Sequence, residues 1–461
     1  MRIRSTTIIF LTLVLIGNLI SGCSPSPEEL APTNTPIPSE TLSPTKTTVP
    51  SATSQPTATN TPSPTNTPTI RPTFSPETLN LAAGDPLKIG YLLWETHEWG
   101  IDSFRGIEIA LSDFGGEIFG HPIELVGYDT DCNEFAGIRG SQILMEDETI
   151  IGIIGTTCSG AGLQAAPIVS ENNRVMISPS NTSPELTAAD THYGGYFRTA
   201  PNDLVQIEAV AQYAFDELDA RRLAVVRGAT NLYERLYSSA LCEVFTDLGG
   251  ECVLDKAKDS GSTYVAPIIS SLAEADPDAI YFMSMDYQEG AAFLSEARKN
   301  PDLEGTALLV WGEGYNNSGF LEQAGEDATG VYISVTSYDI DRDSDNYHTF
   351  LLAYYKEYSE EPVSFFHPYA YDAATLLLKA IEQVAVPEED GSLMVDPMAV
   401  RDALNGKIEF QGLSGYISCS GFGDCLTAAN GRVFQFTSGD PSTYNPGPAD
   451  FTDANPIQVW P

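Results

Sequence analysis

The chain has 461 residues, 42% of them hydrophobic, with 23 Lys and Arg against 63 Asp and Glu, a formal charge of −40 at pH 7. At ~100 to 200 residues per domain this length accommodates two or three domains, and so acidic a chain is repelled by nucleic-acid phosphates and anionic membrane surfaces. A nucleic-acid partner is therefore excluded at the outset.

Taken from the N-terminus, Arg2 and Arg4 precede an apolar run from Ile8 to Ile20 that ends in Ser21-Gly22-Cys23. At ~13 residues the run is short of the ~20 needed to span a bilayer, and residues 1–23 read as a secretory signal. The small residues before Cys23 resemble a bacterial lipobox, which implies cleavage before Cys23 and lipid attachment to its sulfur. From Ser24 to Thr78, 36 of 55 residues are Pro, Thr or Ser, and Asn-Thr-Pro recurs at 34, 60 and 66. Such a stretch has almost no apolar side chains to offset ordering entropy, so residues 24–86 are expected to form a disordered tether. At ~3 Å per residue it reaches over ~100 Å from a membrane. Residues 87–461 then hold 58 acids and 19 bases, so the negative charge belongs to the folded part.

Apart from Cys23 there are six cysteines, at 132, 158, 242, 252, 419 and 425. An even set in an exported chain suggests disulfides, with about fifteen connectivities open in principle. Spacing favours near neighbours, Cys242 with Cys252 and Cys419 with Cys425, leaving Cys132 with Cys158. Zinc is disfavoured: Cys419 and Cys425 lack C-x-x-C spacing and no His pair lies near. No metal and no cofactor are expected.

From residue 87 strands and helices alternate. Leu87–Leu93 reads as a buried strand, and Ile101, Phe104, Ile107, Leu111 and Phe114 recur at helical spacing. Pro122–Asp129 and Ile150–Ile154 are strands flanking a helix over 134–146; a helix starts at about Ser159, and Val175–Pro179 is a strand. After Arg198–Pro201 the rhythm restarts, with helices over 203–219, 233–248, 264–274 and 288–299 between strands 223–227, 252–255, 279–285 and 306–311. This alternation predicts an α/β protein of two doubly wound parallel-sheet lobes, in which ligands bind at the carboxyl ends of the strands. The segment Gly155–Gly162 lies at such a place. There Ser159 is expected to cap a helix whose N–H groups favour an anion. It is neither a P-loop nor a dinucleotide fingerprint.

Cys158-Ser159 and Met176-Ile-Ser-Pro-Ser-Asn-Thr-Ser-Pro-Glu-Leu-Thr187 carry a resemblance, supported by Asp129-Thr-Asp-Cys132, Phe197-Arg-Thr199 and Ala370-Tyr-Asp-Ala373. Through them residues 87–461 resemble the branched-chain amino-acid binding proteins of ABC transporters, which are type I periplasmic binding proteins. The resemblance implies two lobes joined by a three-stranded hinge, residues 87–200 and 336–411 forming lobe I and 201–335 and 412–461 forming lobe II. The hinges fall near Thr199–Pro201, Val335–Tyr338 and Phe410–Gly412. It also implies a Cys132–Cys158 bridge. Ser159 and Thr182 would bind a ligand carboxylate, Ser180 and Asn181 supply backbone groups, Glu313 accept an α-ammonium, and Trp99 and Tyr233 line the cleft.

Departures from that pattern bear on the ligand. Leu93-Trp94-Glu95 replaces a small pair in the first loop, Glu98 precedes Trp99, and Asp286, expected to bind the ligand, stands where relatives often carry an aromatic, although a shift of one residue would put Tyr287 there. Indole and carboxylate in place of apolar wall favour a polar or cationic solute over leucine. The partners implied are this small-molecule ligand, an ABC transporter permease and, through Cys23, the membrane lipid, with the folded part outside the cytoplasm. A sensor presenting its loaded state to a membrane receptor is the alternative. No G-x-S-x-G or H-E-x-x-H occurs, the five histidines form no ligand set, and no base is apparent for Ser159, so the chain is not read as an enzyme.

Overall fold

The computed structural model of the chain describes residues 77–259, 261, 263–337, 344–426, 429–445 and 454–460, and of Glu313 and Ser337 the backbone alone. The expected signal with Cys23, the tether up to residue 76 and Tyr338 lie outside the described residues. In chain order the first lobe opens with β1 (Leu79–Leu81), β2 (Leu87–Leu93), α1 (Glu98–Asp113), β3 (Glu117–Ile118), β4 (His121–Asp129), α2 (Glu134–Glu146), β5 (Ile150–Gly155), α3 (Ser159–Glu171), β6 (Val175–Ser178) and β7 (Tyr196–Arg198). The second contributes α4 (Leu204–Asp216), β8 (Arg222–Gly228), α5 (Leu232–Asp247), β9 (Glu251–Lys258), α6 (Ala266–Ala275), β10 (Ala279–Phe282), α7 (Tyr287–Lys299), β11 (Ala307–Trp311), α8 (Gly312–Tyr315), α9 (Ser318–Ala324) and β12 (Tyr332–Ser337). The chain then returns to the first lobe with α10 (Asp345–Tyr358), α11 (His367–Val384), β13 (Val386–Pro387), β14 (Leu393–Val395), α12 (Pro397–Leu404), β15 (Glu409–Gln411) and β16 (Tyr416–Ser418). It ends in the second lobe with β17 (Asn430–Gln435) and β18 (Ile457–Trp460).

The first sheet has the order β3-β4-β2-β5-β6-β7 and is parallel from β4 to β7. Its strands are near-continuous apolar runs, Ile150-Ile-Gly-Ile-Ile154 being buried throughout, because helices cover both faces. On one face α1 and α11 pack together; α11 buries Leu376, Leu377, Leu378 and Ile381 against Ile89, Ile151 and Ile154. At about 1.5–3 kcal/mol for each such side chain, α11 is the main apolar support of this lobe. The second sheet runs β18-β17-β12-β11-β10-β8-β9, parallel from β12 to β9 and antiparallel at β17 and β18. Separate clusters fill its faces, one around Phe282, Phe293 and Phe320, the other around Tyr237, Phe245 and Trp311.

Two expected boundaries are corrected. The tether does not run to residue 86, because Leu79–Leu81 pairs antiparallel with Leu393–Val395 and Leu81 enters the first core. Residues 412–426 do not belong to lobe II: Ile417, Cys419 and Cys425 are buried in the first-lobe core, and the last passage between lobes falls between Leu426 and Asn430. Val335 and Thr336 pair with β17 inside the second sheet. Disulfides join Cys132 to Cys158, Cys242 to Cys252 and Cys419 to Cys425.

Candidate functional site

A cavity of about 470 Å³ opens at the carboxyl ends of both sheets, with walls from each lobe. Loops after β4 and β6 bring Asn133, Ser180 and Thr182, the first turns of α1, α2 and α3 bring Trp99, Glu134 and Ser159, and Phe365 and Phe366 enter from the segment before α11. Facing them are Asn231, Tyr233, Met285 and Trp311 from the second lobe, and Asp203 from the first passage between lobes. Among the described lining residues the acids are Glu134 and Asp203, and none is a Lys, Arg or His.

Ser159 does not cap α3. The N-cap is Cys158, which makes no side-chain cap bond, and Ser159 is the first helical residue. Its Oγ instead accepts from the backbone N–H of Thr182 at 3.1 Å and of Ser183 at 3.3 Å. The first N–H groups of α3 are thereby left facing the cavity without a side-chain cap, which favours an anionic group. Its hydroxyl proton is the part of Ser159 left to donate.

The loop carrying Thr182 is held from below. Asn181 is fully buried, and its side chain turns inward: Nδ2 donates to Thr156 O at 2.8 Å, and Oδ1 accepts from Thr156 Oγ1 at 3.1 Å. It therefore shapes the loop and does not line the cavity. A β-carbon at position 162 would sit 2.1 Å from Asn181 Oδ1, so only glycine lets the first turn of α3 approach this close. Ser178 Oγ accepts from the N–H of Asn181 at 2.9 Å, and Ser180 Oγ donates to Thr157 O at 2.8 Å. Arg198, wholly buried, donates to Ser183 O at 2.8 Å and to Thr187 Oγ1 at 2.6 Å while its Nε pairs with Asp424.

The aromatic wall has two parts. On the first lobe Trp99 meets Phe366 edge-on at 5.6 Å, and Phe366 lies 4.3 Å from Phe365. Asp102 accepts from the N–H groups of Val363 and Ser364 and from Tyr354, which fixes the segment that presents both phenylalanines. On the second lobe Tyr233 and Trp311 stand 6.1 Å apart, and Asn231, the cap of α5, donates to Met285 Sδ at 3.5 Å. Trp311 is 5% exposed, and its indole N–H has no partner among the described residues. His97 caps α1 through Nδ1, and burial pushes the imidazole below its usual value, which suits a neutral acceptor.

Trp99, Ser159, Ser180, Thr182 and Tyr233 thus come together around one cavity. Asp286 does not join them: it is exposed and caps α7 by accepting from Gln288 N–H at 2.8 Å, while its neighbour Met285 lines the wall. The side chain of Glu313 lies outside the described residues. Trp94 stacks on His97 at 4.1 Å, and Glu95 and Glu98 are exposed; none of the three lines the cavity. Sequence reasoning missed Glu134, Asp203, Met285, Trp311, Phe365 and Phe366. Proximity of Trp311 to Glu313, and the position of Glu134 and Asp203 at helix starts after a strand, are signals present in the sequence that would have found three of them.

A family model described as periplasmic binding protein matches residues 87–436. The chain is 29% identical over 213 residues to the chemotactic signal transduction system substrate-binding protein BasB of Halobacterium salinarum, covering 44% of this chain and 50% of that protein. It is 25% identical over 261 residues to the Leu/Ile/Val-binding protein of Escherichia coli, covering 55% of this chain and 69% of that one. It therefore spans half the length of the first relative and about two thirds of the second. The crystal structure of a leucine-binding protein from Thermotoga maritima is similar with a TM-score of 0.62 at 25% identity, over 77% of this chain and 96% of that chain. A branched-chain amino acid transporter substrate-binding protein from Streptococcus pneumoniae, in complex with isoleucine, has a TM-score of 0.59 at 22% identity, over 77% and 97%, a likeness of fold alone.

Proposed function

The chain belongs to the periplasmic binding protein family and has its type I fold, and from that premise we propose that it captures an amino acid or related small zwitterionic or cationic solute by lobe closure and delivers it to an ABC importer. The observation that carries this reading is the cavity itself, which is walled by both lobes and places the start of α3, Ser159 and Thr182 opposite Tyr233 and Trp311. Hydroxyl and backbone N–H donors on the first lobe suit a carboxylate. A ligand bridging the two walls binds the closed form better than the open one and draws the equilibrium toward it. Glu313, at the start of α8 beside Trp311, is the acid we assign to an α-ammonium. The protein works as a binder, with no catalytic step, and needs no cofactor. Residues 1–23 act as its export signal, Cys23 carries its lipid, and the Pro/Thr/Ser-rich segment tethers it outside the cytoplasm.

Titration calorimetry with single amino acids tests capture. The Ser159→Ala/Thr182→Ala double variant, which removes two donors to a desolvated carboxylate, is expected to weaken binding by about 2–4 kcal/mol. Unchanged affinity overturns the assignment of the site.

A second reading, a sensor for a membrane signalling partner, is favoured by the similarity to a chemotactic substrate-binding protein. Crosslinking of the loaded protein in native membranes separates the two: a permease subunit supports delivery, a receptor or kinase supports sensing.

A further inference from the structure

Resting on the capture reading, we propose that Glu234, which does not line the cavity, is a positioning residue for capture: its ionised carboxylate holds the second-lobe wall in its binding shape, and affinity falls when that carboxylate takes up a proton. The first ground is where its bonds go. Glu234 is buried in the first turn of α5, next to Tyr233 in the wall. Its Oε2 accepts from the N–H of Gly228, the last residue of β8, at 2.6 Å, and its carboxylate accepts from Met285 N–H as well. Its own N–H donates at 3.2 Å to Oδ1 of Asn231, whose Nδ2 donates to Met285 Sδ at 3.5 Å. One residue thus ties the loop after β8 to the loop after β10. These loops and the start of α5 carry Asn231, Tyr233 and Met285 to the cavity.

The second ground is what surrounds the carboxylate. Behind the wall Lys258, at the end of β9, pairs with Glu289 of α7, and the Ser284 hydroxyl donates to the same Glu289 carboxylate. Lys258 and Glu289 are both buried. Ser284 belongs to the loop after β10, where Asp286 N–H donates to its Oγ at 3.2 Å and the Tyr315 hydroxyl of α8 donates to Asp286 O at 3.3 Å. The charged and titratable groups that face Glu234 from neighbouring elements are therefore Lys258, Glu289 and Tyr315.

The third ground is how this setting answers to pH. Burial pushes the Glu234 carboxyl above its usual value, against the pull of Gly228 N–H, the Lys258 ammonium and Met285 N–H. A proton taken up there leaves the two N–H groups with a neutral acceptor in place of a charged one, and such bonds are weaker. The wall then loosens in the loops that carry Asn231 and Met285. A ligand that needs the wall in place binds the ionised form better, so by linkage the loaded protein holds this proton less tightly than the empty one. Affinity is therefore highest on the alkaline side of the Glu234 titration and is lost as pH falls through it.

The test is titration calorimetry on the full-length chain with the protein L-amino acids as probes at about pH 7.5, the tightest binder then being followed down to about pH 4.5. Its affinity is expected to fall about five- to tenfold over that span, the difference between charge-assisted and neutral hydrogen bonds in the wall. Glu234→Gln is expected to bind the same probe at the higher pH with nearly the affinity that the unsubstituted protein has in acid, and to stay level as pH falls. If a thermal melt shows Glu234→Gln unfolded at the assay temperature, Glu234→Asp takes its place. An aspartyl carboxyl is the stronger acid, so the fall is expected to move to lower pH. A flat profile in the unsubstituted protein overturns the proposal and leaves capture standing. An acid fall of unaltered size in Glu234→Gln, or of unaltered position in Glu234→Asp, also overturns it, since the fall then belongs to another carboxyl group. Absence of binding by every probe overturns the capture reading and this inference with it.

Discussion

Asp372 shows how a single buried side chain fixes a turn of the first lobe. It sits on α11, fully buried, and accepts from Leu413 N–H at 2.9 Å, Ser414 N–H at 2.8 Å and the Ser414 hydroxyl. These bonds bind the turn between β15 and β16 to the first-lobe core. Burial outweighs them and pushes the carboxyl up to about 6. The folded value lies above the unfolded one of about 4, so the folded state takes the proton first, and the contribution to stability is greatest below about pH 4 and is lost as pH rises through about 6. The unfolding free energy of the protein, measured against Asp372→Asn as a non-titrating reference, is expected to fall by about 2 kcal/mol between pH 4.5 and 7.5. A difference between the two proteins that stays flat with pH refutes the argument. Asp102 works in the same way nearer the site, holding the backbone that presents Phe365 and Phe366.

At the scale of elements, the turn that carries Cys419–Cys425 acts as a clasp on the ligand loop. Arg198 N–H donates to Gly423 O at 2.8 Å, Cys425 N–H donates to Arg198 O at 3.0 Å, and Asp424 pairs with the buried guanidinium. The same guanidinium holds Asn181 O, Ser183 O and Thr187, so clasp, arginine and loop form one hydrogen-bonded chain. Asp424→Asn removes the only carboxylate described on this buried cation and is expected to cost about 2–4 kcal/mol of stability. Hydrogen exchange should quicken first in residues 181–187; if exchange there is unaltered while the melting temperature falls, the clasp does not act on the loop. None of this was legible in the sequence, because residues 198 and 424 meet only through the fold. What was legible follows from local rules. The helices over 134–146 and 233–248 announce themselves by period, and the structure places their ends within one residue; the strand expected over 279–285 begins as expected but ends at Phe282. Ser159 stands out because strand, turn and helix start are contiguous around it, whereas Thr182 comes from the family resemblance that the Cys158–Thr187 stretch carries. Phe365 and Phe366 stayed hidden because they come from a segment without period, almost 200 residues further on. Asp286 was misplaced because a helix cap and a cavity wall are adjacent in sequence, and a shift of one residue exchanges them.

For the whole molecule, the two lobes have separate apolar cores, so moving one against the other leaves each intact. Trp99 reaches from one to the other. It meets Phe366 at 5.6 Å on its own lobe and packs against the second-lobe cluster that contains Tyr233 and Trp311. In an empty cavity this contact favours approach of the lobes. It opposes the mutual repulsion expected of residues 87–461, which hold 58 acids and 19 bases. The balance has a measurable consequence. Trp99→Ala removes the contact and shifts the ligand-free population toward open forms, and since apparent affinity scales with the fraction that is competent to bind, it should fall roughly tenfold for each 1.4 kcal/mol lost. The radius of gyration of the ligand-free variant, from solution scattering at low salt, is expected to exceed that of the unsubstituted protein. Added salt should narrow the gap by screening the acids. The melting temperature should change little, because no lobe core is opened. A variant with unaltered scattering but weakened binding would make Trp99 a ligand contact only and remove it from the closure step. Equal scattering and equal affinity would remove it from both.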